Sequence, residues 1–312
     1  MRQLLVVFRR SFVFVSLPLM LASCSGSGRQ SQPPLPRGFA VVASQDNTIS
    51  IYSIDSSTGK LESTGSVLSG GSTPVSLAAD PSGHFVYIAN FIAGGVSTFS
   101  INANLGTLTP VGSPVVAGKN PRSVTVNTSG KFAYVANLAS DDIYTYAIDS
   151  STGALTRVGS LVTTPSPLSL TMDSAGKFAY TVSADTNTVS AFAIDRSTGR
   201  LTAVGNSLAV GTGPEFVMVH VSGKFAYVAD TGSQDISIFA IDSNSGTLTP
   251  VGSPVPDQGT LSQSREIPVE SLSMSQILAR VISLFMQLTQ EPVPYQQSVD
   301  PSPQVPVLSL SA

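Results

Sequence analysis

The chain has 312 residues, 42% of them apolar and only 11% charged, with abundant Gly and Pro and no Trp. That mixture suits tightly turned β-structure buried on both faces rather than a charged helical protein. A formal net charge of −3 excludes the electrostatic footprint of a nucleic-acid binder, and two histidines and one cysteine leave very little for a metal centre and no disulfide within the chain.

Residues 1–24 read MRQLLVVFRRSFVFVSLPLMLASC. Arg2, Arg9 and Arg10 precede an apolar stretch, Ser11 to Ala22, that is shorter than the ~20 residues a spanning helix needs. A secretory signal over 1–23 is the expectation. It ends in Leu21-Ala22-Ser23-Cys24, which resembles the lipobox of bacterial lipoproteins, where the cysteine is lipidated and becomes the mature N-terminus. Residues 24–38 then form a Ser/Gly/Pro tether. Ser25 after the cysteine resembles outer-membrane sorting in a host with two membranes. The expected product is exported and lipid-anchored, with the membrane as its first partner.

From residue 39 the sequence repeats. FAVVAS, FVYIAN, FAYVAN, FAYTVS and FAYVAD begin at Phe39, Phe85, Phe132, Phe178 and Phe225, in steps of 46, 47, 46 and 47 residues. Gly59, Gly106, Gly153, Gly199 and Gly246 keep the same period. In the third unit four strands are expected: 123–127, 132–137, 142–149 and 155–162. TSGK and DSSTG supply turns whose glycines accept positive φ. Four-stranded units of this length, repeated, indicate the blades of an all-β propeller, because one unit cannot bury its faces alone.

The wording of the repeat, SGKFAYVAN followed by AIDxxTGxLTxVGSPV, resembles the YVTN and lactonase group of β-propellers, which includes propeller-type 6-phosphogluconolactonases. The resemblance covers residues 38–255 and implies a seven-bladed ring of four-stranded antiparallel blades. Five units are visible over 39–255, so an incomplete ring is expected. The first unit opens directly with its second strand. In closed rings a strand from the far C-terminus fills such a gap and removes the open edge. Residues 256–312 carry no matching strand. They permit an amphipathic helix near 273–289, but reading 281–307 one base out of frame permits Y-A-I-D, T-G-A-L and V-G-x-P-V in blade order. A frameshifted, disordered tail is the favoured expectation.

The resemblance also implies a site. In the lactonase group the inner strand of several blades begins Gly-Pro-Arg-His, placing Arg and His at the mouth of the central channel. Pro121-Arg122-Ser123 keeps the Arg and has Ser for His, while Pro214-Glu215-Phe216 keeps neither. Arg122 could polarise an acyl oxygen or hold a carboxylate or phosphate, and Glu215 could act as a base. The bland reading of both is a solvated charge at a strand start. His84 and His220 fall on turns, away from the family's His position. The DSSTG and DSNSG turns lack the carboxylates of a calcium loop. No cofactor or metal site is expected. The expected function is an envelope lipoprotein whose propeller binds an unknown ligand or protein at its channel mouth. A lactone hydrolase is the alternative, and a broken, non-functional gene product a second one.

Overall fold

The computed structural model describes residues 4–8, 11–13 and 38–256, apart from 45, 56–57 and 221, and at 4–8, 11–13 and 160 it describes the backbone alone. Cys24, the tether up to residue 37 and the tail from 257, including 273–289, lie outside the described residues.

The described residues form five sheets in chain order, antiparallel apart from one parallel pair in the first, as expected for propeller blades. Blade three is the plainest. Its strands Pro121–Val126, Phe132–Asn137, Asp142–Ile148 and Leu155–Thr163 are paired in that order. These bounds match the expected strands within two residues at each end. The inner strands Pro74–Ala79, Pro121–Val126, Pro167–Met172 and Pro214–Val219 of blades two to five lie side by side around a common axis.

Outer strands come in two forms, and proline decides which. Blades one, three and four each have one continuous outer strand, Leu61–Leu68, Leu155–Thr163 and Leu201–Ala209. Blades two and five share the sequence TLTPVGSPV and split it into Thr107–Pro110 with Val115–Val116, and Leu248–Pro250 with Val255–Pro256. Pro110, Pro114, Pro250 and Pro254 have no N–H to give to the ladder.

The first blade differs from expectation. Its strand Gly38–Ala43 does not present an open inner edge. Leu4–Phe8 runs parallel to it, pairing Leu4 with Phe39 through Phe8 with Ala43, and Ser11–Val13 pairs with Leu4–Phe8. The physical reason is the one that closes other rings: an unpaired row of N–H and C=O groups accepts an apolar, β-branched segment, here from the N-terminal side.

The blades are joined by a repeated contact. A Cβ built on Gly106, Gly153, Gly199 or Gly246 would come within 2.2–2.6 Å of the ring of Phe39, Phe85, Phe132 or Phe178 respectively. Each of these glycines closes the last turn of its own blade, and each Phe opens the second strand of the blade before. The two periodic markers of the sequence are therefore two halves of one inter-blade contact. Around it lie four apolar cores, one per junction. The first joins Val41 and Ile51 to Val86 and Ile88, and the fourth joins Tyr180 and Val182 to Val228 and Phe239. Phe225 of the last blade is only half-buried, and Gly59 of the first has nothing within 4 Å of its would-be Cβ.

Candidate functional site at the channel mouth

Each inner strand is entered the same way. The residue before its proline is left-handed: Thr73, Asn120, Ser166 and Gly213 have φ of 56°, 52°, 37° and 63°. Side chains from the neighbouring hairpin hold three of these corners. Asn47 Oδ1 accepts from Thr73 N at 2.7 Å, Asp141 Oδ1 from Ser166 N at 2.8 Å and Asn187 Oδ1 from Gly213 N at 2.8 Å. Proline then starts the strand, where its missing N–H costs nothing.

A bulge follows immediately. Pro74, Pro121, Pro167 and Pro214 pair across to the second strand, the next residue is skipped, and Ser76, Ser123, Ser169 and Phe216 resume the ladder. Such bulges re-aim the skipped side chain. The skipped residues are Val75, Arg122, Leu168 and Glu215, so both charged candidates stand at equivalent positions at the same end of the inner strands. Both are partly buried. Burial pushes the Arg122 guanidinium below its ordinary value, and the Glu215 carboxylate opposes that shift. The two groups feel each other across the mouth without forming an ion pair. Among the described residues the ion pair within 4 Å is Lys60 with Glu62, on the surface.

The residues standing at the family's histidine position have other work. Ser76 Oγ accepts the N–H of Val124 at 2.9 Å, Ser123 Oγ that of Leu170 at 3.2 Å, and Ser169 Oγ that of Val217 at 3.3 Å. Each serine ties its inner strand to the backbone of the next. Of these serines Ser123 alone stands out in the sequence, as a replaced histidine, and the tie is not legible there. The recurring Pro-x-Ser at blade period was the available signal.

Neither histidine reaches the mouth. His84 and His220 sit in the turns at the far end of the inner strands, bonded through Nδ1 to Ser82 and Ser222 Oγ at 3.0 and 2.7 Å. Five residues of strand place them about 17 Å from the bulges. The Asp turns between third and outer strands are occupied by their own donors. Asp149 Oδ1 accepts from Ser151 Oγ, Ser151 N and Thr152 N, and those bonds, the Ser151 hydroxyl first, hold its carboxyl down at about 2. Among the described residues no three His, Cys, Asp or Glu side chains gather as metal ligands would. Chemically, the mouth offers a cation able to receive a carboxylate or phosphate and a carboxylate able to accept a hydroxyl or water proton.

The family model described as lactonase, 7-bladed beta-propeller, matches residues 36–110, 96–172 and 169–262. No curated protein matches the chain. Among solved structures, a candidate 6-phosphogluconolactonase of Bacteroides uniformis is 24% identical with a TM-score of 0.63, over 70% of this chain and 68% of that one. A Lactobacillus plantarum protein is 21% identical with a TM-score of 0.61, over 72% and 69%. A functionally unknown protein of Desulfotomaculum acetoxidans is 16% identical with a TM-score of 0.59, over 68% of this chain and 65% of that one, just under two thirds of its length. At these identities the likeness is one of fold.

Proposed function

Because this chain belongs to the seven-bladed β-propeller lactonase family, we propose that it is an envelope-anchored lipoprotein whose channel mouth binds an anionic ligand without turning it over. The observation that carries the reading is the fate of the histidine position, where Ser76, Ser123 and Ser169 spend their oxygens on backbone N–H groups of the next blade. What remains at the mouth is Arg122, opposed by Glu215, and a lone guanidinium suits recognition of a carboxylate or phosphate. Hydrolysis of 6-phosphogluconolactone and simple lactones is expected at background rate. Binding of the corresponding sugar acids, followed by calorimetry, should fall at least tenfold in Arg122→Ala. Turnover that is lost in both Arg122→Ala and Glu215→Ala would replace this reading.

One observation favours that second reading. A carboxylate within electrostatic reach of an arginine could activate water beside a polarised acyl oxygen, so Glu215 is the residue whose removal separates the two.

Anchoring is proposed on the LASC motif ending at Cys24. Cells fed a clickable fatty acid should label the protein, and Cys24→Ser should abolish the label. A labelled mutant would rule the anchor out. Cleavage before Cys24 would also take Leu4–Phe8 from the inner edge of blade one, so the anchored form would expose the edge of Gly38–Ala43.

A further inference from the structure

In blades two to five the last residue of the second strand faces the first residue of the third directly across the ladder, and the blades fill this pair differently. Asn90 faces Gly95, Asn137 faces Asp142, Ser183 faces Thr188, and Asp230 faces Asp235. In blade three, Asn137 Nδ2 donates to Asp142 Oδ1 at 2.8 Å, and Ser140 Oγ donates to the same oxygen at 3.0 Å. Blade five keeps the serine, since Ser233 Oγ donates to Asp235 Oδ1 at 2.8 Å. It replaces the amide with a second carboxyl. Asp230 is 0% exposed; its Oδ2 accepts from Ser237 Oγ at 2.7 Å, and its Oδ1 has no partner. A Cβ on Gly211 would strike both Asp230 Cβ and Asp235 Oδ1 at 2.6 Å, so the mouth loop presses on the pair.

We propose that Asp230 carries a proton in the folded protein and donates it to Asp235, an O–H···O bond standing where Asn137 makes an N–H···O bond to Asp142. Asp230 is out of water and faces a second, only partly buried carboxyl; ionising both is costly at this separation, and one shared proton relieves them. The third strand brings Asp235 and Ser237. The loop Val210–Gly213 brings no ionisable group, and the inner strand brings Glu215 beside Pro214, the pairing partner of Asp230. The hairpin of blade four, which holds that loop through Asn187, carries Asp185, engaged by Ser166 Oγ. No cation is among these groups. The donors aimed at the pair, Ser233 and Ser237 Oγ, suit a carboxyl–carboxylate pair rather than a metal ion. Burial first, and Asp235 beyond it, raise the Asp230 carboxyl from 3.8 to about 6. The blade is thereby a proton-dependent latch on the loop that leads to Glu215.

The sign follows from linkage. The folded state holds a proton that the unfolded chain has already released, so the stabilisation is complete below about pH 4 and is lost as pH rises through about 6. Between pH 4 and 7.5 the unfolding constant of the wild type should rise about 60-fold more than that of Asp230→Asn. The variant places at this position the residue that blades two and three already carry. Carbon-13 NMR of the full chain should show one carboxyl with a midpoint near 6 that is absent from Asp230→Asn and moves down in Asp235→Asn. Parallel stability curves, a midpoint below 4.5, or a midpoint unmoved in Asp235→Asn would each overturn the latch.

Discussion

Phe132→Ala should lose about 3–5 kcal/mol of unfolding free energy, read by chemical denaturation at neutral pH. The ring is 7% exposed and packs on the turn of the next blade, where a Cβ on Gly199 would lie 2.5 Å from its Cδ1. The reciprocal change tests the same contact from the other side. Gly199 has φ of +75°, so Gly199→Ala adds about 1–2 kcal/mol of backbone strain to a clash that the ring must move to relieve. Gly59→Ala is the control: the same turn and nearly the same φ, +71°, with nothing within 4 Å. It should cost the backbone strain alone. In the double variant Phe132→Ala/Gly199→Ala the new methyl enters space left by the ring, so the sum of the single losses should exceed the double loss by at least about 1 kcal/mol. Strict additivity would mean that the two markers do not share a contact.

The second large effect is expected inside blade three. Asn137→Leu keeps the branched shape of a fully buried side chain, at somewhat larger volume, and removes the donor that serves Asp142, itself 5% exposed. Hydrogen bonds to buried charged groups are worth about 1.5–3 kcal/mol, and the loss should fall in that range. Ser140 Oγ remains on Asp142, which keeps the cost below that of a stranded charge. At the equivalent place in blade four, Ser183 faces an uncharged Thr188, and Ser183→Ala should lose only about 1 kcal/mol. Equal losses at the two sites would show that the charge on Asp142 is not what Asn137 serves.

Much of this fold could be read from the chain, and the reason is specific. Phe39 to Phe225 and Gly59 to Gly246 recur because every junction needs the same ring under the same turn, and a contact repeated in space becomes a period in sequence. What period cannot give is which blade the partner sits on, since Phe85 meets Gly153 of the following unit rather than Gly106 of its own. The pairing at the inner edge of blade one is not legible in the sequence for a related reason. Backbone pairing by Leu4–Phe8 needs only an apolar extended segment, and the basic residues flanking it resemble an export signal more than a strand of the fold. At the channel mouth, Arg122 and Glu215 were visible as departures from a motif. Their shared orientation comes from the bulge after each proline, and a bulge is a property of two strands that neither one spells out. The Asp230–Asp235 pair escaped notice because FAYVAD differs from FAYVAN by one letter, and only the residue across the ladder gives that letter its weight.

The Phe-to-Gly contact also has a direction: each blade offers its ring to the one that follows. A chain made from its N-terminus therefore presents Phe85 before the turn of Gly153 exists, and Phe132 before that of Gly199. Every new blade arrives to find its docking surface already assembled, so the ring can grow by successive addition in the order of synthesis. A blade released early waits with its own aromatic ring uncovered, as Phe225 is half-uncovered here, and the hazard of mispairing travels along the chain with the newest unit rather than resting on the whole.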